Sequence, residues 1–176
     1  MNLYSETLFD ESKFDDLIKI RNLFEQAKST NNKVIFIGNG GSAAMSSHCS
    51  VDLTKNAGIR AVNFNEADLL TCFSNDYGYE LWAKKALEFY SKPGDVVVLI
   101  SSSGNSPNIV NAAKYSKEAD LSLVTFTGFG KDNKLKQIGD INLWVDTKAY
   151  NIIEMTHHIW ILSIVDLIIG DAEYSA

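Results

Sequence analysis

This sequence predicts an α/β fold, a three-layer sandwich on a doubly wound parallel sheet. Three observations carry the reading. Strand-like apolar runs alternate with helical patterns, an order that yields a parallel sheet with helices on both faces. The clearest run, Val96-Val97-Val98-Leu99-Ile100, is apolar without alternation, as a strand covered on both faces must be. At 176 residues the chain suits one domain, residues 1–176, and it shows no linker, internal repeat or low-complexity tract.

The elements follow in order. Residues 10–28 carry Phe14, Leu17, Ile18, Ile20, Leu23 and Phe24 at helical spacing, and Asn31-Asn32 breaks the pattern. Residues 33–37 read as a short buried strand stopping at Gly38. Residues 42–55 read as a helix that opens on small residues and so packs close to that strand. Residues 61–64 form a second strand. Two helical pieces, 66–73 and 79–90, flank a polar turn at Ser74-Asn75-Asp76 and Gly78. Pro93-Gly94 is a turn, followed by the strand 95–100. Ser106-Pro107 reads as an N-cap with proline at the first helical position, opening a helix to Glu118. A strand at 121–127, a helical turn at 135–138 and a strand at 141–145 come next. A helix at 151–169 ends at Gly170. That last helix is apolar nearly all round, from Ile152 to Ile169, so it must be covered on nearly all sides. In so small a chain a second subunit is the expected cover, which predicts a homo-oligomer. Trp82, Trp144 and Trp160 are expected in the core, and the lysine clusters at 84–85 and 131–136 on the surface.

Composition narrows the function. The net charge is -6, and only Arg21 and Arg60 are arginines among 16 basic residues, which argues against a nucleic-acid partner. Two cysteines, Cys49 and Cys72, cannot build a disulfide framework. The N-terminus is polar and acidic, unlike a signal peptide. The longest apolar stretch, 159–169, is well short of the roughly 20 residues that span a bilayer. These features predict a cytoplasmic protein without a membrane partner.

Two loops carry the chemistry. Gly38-Asn39-Gly40-Gly41-Ser42 joins a strand to a helix, so its glycines admit close approach to free helix N–H groups. Read alone it is a structural turn or a G-x-G-x-x-A dinucleotide pattern, through Gly38, Gly40 and Ala43. A nicotinamide site further needs an acidic residue about 20 positions on, where this chain has Asn63 and Asn65, with Glu66 slightly late. The second loop, Ser101-Ser102-Ser103-Gly104-Asn105-Ser106, has four hydroxyls where capping needs one. Hydroxyls and backbone N–H groups can surround a phosphate without any lysine. In an open parallel sheet, both loops lie at the carboxyl edge where ligands bind.

The runs VIFIGNGGSAAMSSHCSVD (34–52), SNDYGYE (74–80) and ISSSGNSPNIV (100–110) resemble sugar isomerase (SIS) domains, and among them the phosphoheptose isomerases. The resemblance covers nearly the whole chain from about residue 30. It implies a five-stranded, flavodoxin-like parallel sheet with long terminal helices at subunit contacts. It also implies a homotetramer with sites between subunits, and an aldose–ketose isomerisation of a phosphorylated sugar such as sedoheptulose 7-phosphate. By the same resemblance Asn39, Gly40 and Gly41, with Ser42 beside them, form the first substrate turn. Asn75 and Asp76 match a substrate contact, and Ser101, Ser102, Ser103 and Ser106 match the phosphate-binding serines. His48 matches a histidine that binds zinc in some members. Asp52 stands where the family has a glutamate acting as base and metal ligand. A glutamine and a histidine of the family's distal helix fall on Ile153 and Ile161 here, so the zinc set is incomplete and no cofactor is required.

Isomerisation through an enediol needs a base near C1–C2 and a proton shuttle between the oxygens. His48 and Asp52, at i and i+4, share a helical face and suit a metal pair, a catalytic pair or a plain hydrogen-bonded pair. On the distal helix His157 lies midway between Ile153 and Ile161, with Glu154 nearby. Glu154 and His157 are therefore expected to supply the acid–base groups from a neighbouring subunit, or else to form a polar layer in a helix bundle. His158 points about 100 degrees away. Two further functions remain in view: a non-catalytic SIS tetramer that senses a phosphosugar or holds a protein partner, and a nucleotide-dependent oxidoreductase.

Overall fold

The five strand-like runs form β1 (Val34–Gly38), β2 (Ala61–Asn63), β3 (Val96–Ser101), β4 (Ser122–Thr127) and β5 (Ile141–Trp144) in a computed structural model that describes residues 2–174. They pair in the order β2-β1-β3-β4-β5, all parallel, with Val34 opposite both Ala61 and Val96. Strands alternate their side chains between faces. Val34 and Phe36 accordingly join one core cluster, and Ile35 and Ile37 the other. The first face is covered by α2 (Phe14–Ser29), α3 (Gly41–Lys55) and α8 (Tyr150–Ile169). The second is covered by α5 (Trp82–Tyr90) and α6 (Pro107–Glu118). All five residues of β1 and all six of β3 are buried, as the unbroken apolar runs require. Trp82 and Trp160 lie in the core, whereas Trp144 is half-buried under Lys136, whose Nζ sits 4.0 Å from the ring centre.

Three elements depart from expectation. A helix absent from the sequence reading, α1 (Asn2–Leu8), precedes a short 3-10 turn at Glu11–Lys13, and α2 starts only at Phe14. It has little apolar periodicity of its own and is held by tertiary contacts: Trp160 Nε1 donates to the Leu8 carbonyl at 3.2 Å. The predicted turn at Ser74-Asn75-Asp76 is instead the last turn of α4 (Ala67–Tyr77). The helix stops one step later, where Gly78 takes φ +87.

The third departure is α8. Its twenty residues are long and apolar enough, by length and composition alone, to cross a bilayer, which exceeds the stretch read from the sequence. One side is buried, with Ile153, Thr156, His157 and Trp160 between 0% and 3% exposed. The other is open: Ile159 and Leu167 are 45% and 47% exposed, beside Phe14 and Ile18 of α2 at 48% each. Full coverage of α8 is therefore not reached within one chain, and an apolar trough of 740 Å³ runs between α2 and α8. The helix α7 (Lys134–Ile138) lies between β4 and β5 and is capped by the Asn133 side chain.

Candidate active site

In a sheet ordered 2-1-3-4-5 the chain leaves β1 toward one face and β3 toward the other, which opens a crevice at the carboxyl edge. A cleft of 290 Å³ lies there. It is lined by both loops, at Asn39, Gly40, Gly41 and Ser42 and at Ser101, Ser102, Ser103 and Ser106, and by Tyr150 and Glu154 of α8. The turn after β1 needs glycine. Gly40 takes φ +55, and a Cβ on Gly41 would lie 2.7 Å from Glu154 Oε2.

Hydroxyls dominate the second wall. Ser101 and Ser102 are buried, and Ser101 Oγ is 3.3 Å from Ser106 Oγ. Ser106 takes the N-cap position of α6 as expected, but its side chain makes no capping bond. Ser103 is used within its own loop, accepting from Asn105 N–H at 3.2 Å. The N-termini of α3 and α6 end at this cleft, and no lysine or arginine lines it among the described residues. The result is a neutral cradle of donors, suited to a phosphate held by N–H and O–H groups.

Asn39 and Asn108 lock the two walls together. Asn39 Nδ2 donates to Asn108 Oδ1 at 3.0 Å, and Asn108 Nδ2 returns to Asn39 Oδ1 at 2.8 Å. Tyr79 O–H donates to the same Asn39 oxygen at 3.3 Å. The Asn39 amide is therefore largely committed to its neighbours. Asn108, 1% exposed, was missed by sequence reasoning. The available signal was an asparagine in the first turn of a helix, a polar residue that needs a partner when buried.

Glu154 brings the one carboxylate on the cleft wall among the described residues, and it rests against the α3 N-terminus. A negative group is favoured there by the partial positive charge of the helix end. Tyr150, one turn earlier on α8, meets Phe129 edge-on with ring centres 4.9 Å apart. It was not anticipated from the sequence.

The sequence pattern of the SIS domain matches residues 5–128. This chain belongs to the SIS domain family. It is 36% identical over 150 residues to the probable phosphoheptose isomerase of Thermoplasma acidophilum, covering 81% of each chain. It is 32% identical over 148 residues to the phosphoheptose isomerase of Akkermansia muciniphila, covering 81% of this chain and 78% of that one. The solved phosphoheptose isomerase of Neisseria gonorrhoeae superposes with a TM-score of 0.87 at 28% identity, covering 96% of this chain and 92% of that one.

Other residues singled out in this SIS domain lie off the cleft. His157 does not share the face of Glu154, which is half-buried. It is fully buried, with Nε2 3.0 Å from the Thr127 carbonyl and Nδ1 lacking a protein partner. Burial pushes its pKa down to about 4, against a smaller opposing effect of the Thr127 bond. The reason is helical phase: position 157 faces the sheet with Ile153, Trp160 and Ile161, whereas position 158 faces α3. His158, set aside on the sequence, is the histidine that meets His48, with Nε2 2.9 Å from His48 Nδ1. Burial, then the neighbouring His48, lower the His158 pKa, and Asp52 opposes them. His48 and Asp52 do pair, Nε2 to Oδ2 at 3.5 Å, but neither lines the cleft. Asn75 and Asp76 also lie outside it, exposed on α4 and bonded to each other at 2.9 Å.

The zinc site implied by the resemblance does not fit these residues. Ile153 and Ile161 offer no donor and are buried to 0% and 1% exposure. The two nitrogens of His48 face opposite partners, and no cluster of three His, Cys, Asp or Glu side chains suited to a metal occurs among the described residues.

Proposed function

We propose that this protein is an aldose–ketose isomerase of phosphorylated sugars, acting on sedoheptulose 7-phosphate through an enediol. The observation that carries the reading is one cleft with a neutral phosphate cradle on two walls and a single carboxylate, Glu154, on the third. The phosphate is held by the serine hydroxyls and the α6 N-terminus. Glu154 takes the proton from C1 of the ketose and returns it to C2, while a proton moves from O1 to O2, so the sugar is isomerised with no net change in redox state. Asp52 sits beside His48, His157 is bonded to Thr127 and neither lines the cleft, which supports giving the acid–base role to Glu154. No organic cofactor enters the reaction.

The working unit we propose is a homotetramer in the cytoplasm. The open apolar trough along α2 and α8 supports subunit contact, and α4, which carries Asn75 and Asp76, has no buried residue in a single chain. Two free cysteines, one of them exposed, suit a reducing compartment.

The test is incubation with sedoheptulose 7-phosphate in deuterated water, followed by NMR. Deuterium entering C1 and C2 as the aldose grows is expected. Binding of ketose phosphates without exchange would overturn the enzyme reading and leave a phosphosugar sensor. Light scattering is expected to give four chains; a monomer would overturn the assembly.

A further inference from the structure

We infer that this chain holds no metal at the corner where the family resemblance places one, and that a hydrogen-bonded chain of side chains, Asp52–His48–His158, closes that corner instead. The inference starts from donors. A structural or catalytic zinc takes about four nitrogen, oxygen or sulfur ligands converging at roughly 2.0–2.3 Å. Of the four positions that the resemblance assigns, two are Ile153 and Ile161, buried among Trp160 and Ile164 in the apolar cluster of the sheet face. Neither can turn toward α3 without leaving that cluster.

The two remaining positions are engaged otherwise. An imidazole has two nitrogens on opposite edges of the ring. Here Nδ1 of His48 faces His158 at 2.9 Å and Nε2 faces Asp52 at 3.5 Å, so the three groups extend in a line rather than around a point. One consistent set of protons satisfies all of them. His48 presents Nε2–H to the Asp52 carboxylate and accepts from His158 Nε2–H at Nδ1. The two rings meet edge-on, at 86° with centres 4.9 Å apart. Asp52 and His48 come from α3 and His158 from α8, so the line ties the helices together one turn of α8 beyond Glu154. Isoleucine at 153 and 161 and histidine at 158 then act together: apolar packing on the sheet side, and a direct bond on the α3 side.

The test uses the whole chain and needs no activity, so its outcome is independent of the isomerase reading. Protein produced with zinc in the medium and then dialysed is expected to carry fewer than about 0.1 zinc per chain. In long-range proton–nitrogen NMR spectra of the imidazoles, equimolar zinc is expected to leave His48 and His158 unmoved. One zinc per chain, or saturable zinc shifts of both rings that vanish in His48→Gln, would overturn the inference. The near-isosteric Asp52→Asn tests the line itself. Its effect is expected to reach both His48 and His158, and a His158 resonance unchanged by it would break the chain.

Discussion

The carboxyl edge of the sheet and the seam between α3 and α8 solve the same problem with different materials. At the edge, a cradle suited to a phosphate is made from backbone N–H groups and small hydroxyls, positioned by β1, β3 and two helix N-termini. At the seam, the contacts are made by single long side chains, Glu154, His48 and His158. Backbone donors come with the fold and survive substitution around them. A side chain at a seam is one residue, and a neighbouring isoleucine removes a ligand altogether. The edge therefore carries the residues that the resemblance assigns to it, while at the seam Asp52, Ile153 and Ile161 stand where the resemblance places a glutamate, a glutamine and a histidine. The two regions meet at Gly41, where the α3 N-terminus touches the Glu154 carboxylate.

The division predicts that seam changes alter rate and edge changes alter binding. Glu154→Gln gives the largest effect, a loss of exchange of about 10³-fold with sugar-phosphate affinity unchanged. Equal losses in both would move Glu154 to the binding side.

Next is the buried His157, whose effect is on stability. Its pKa falls from the ordinary 6.5 to about 4 in the folded chain, so between these values the unfolded chain binds the extra proton. Its stabilising contribution is complete above pH 6.5 and is lost as pH falls toward 4, by roughly 3 kcal/mol in all. Urea unfolding of the unaltered chain and His157→Gln across that interval checks it: the variant should lack this component of the pH slope.

Gly41→Ala sharpens the comparison, because it lies on the boundary. The atoms nearest the new Cβ are the end of a flexible side chain, so the melting temperature should hold. The carboxylate must yield, and exchange should fall roughly 10²-fold. The smallest effect belongs to the edge. Ser101→Ala should weaken phosphate binding about tenfold and leave the rate of the bound sugar unchanged, as calorimetry and saturation kinetics would show.

Much of this was legible in the chain. Unbroken apolar runs announce strands covered on both sides, and four serines before a proline-led helix announce a hydroxyl-lined wall at the cleft. The parts that were not legible share a cause. α1 is held against α8 through Trp160 and Thr156, and nothing in residues 2–8 states those contacts. Asn108 looked like an ordinary helical residue because its partner, Asn39, is 69 positions away.

Sequence by itself determined the architecture, the two loops and the hydroxyl and glycine content of the cleft, because each follows from local pattern and composition. Only the tertiary structure decided which of His157 and His158 enters the core. Adjacent residues on a helix differ by about 100 degrees, and with α8 apolar on most sides no local pattern shows which face meets the sheet. Packing against β4 and α3 sets that phase, placing His157 on Thr127 and His158 on His48.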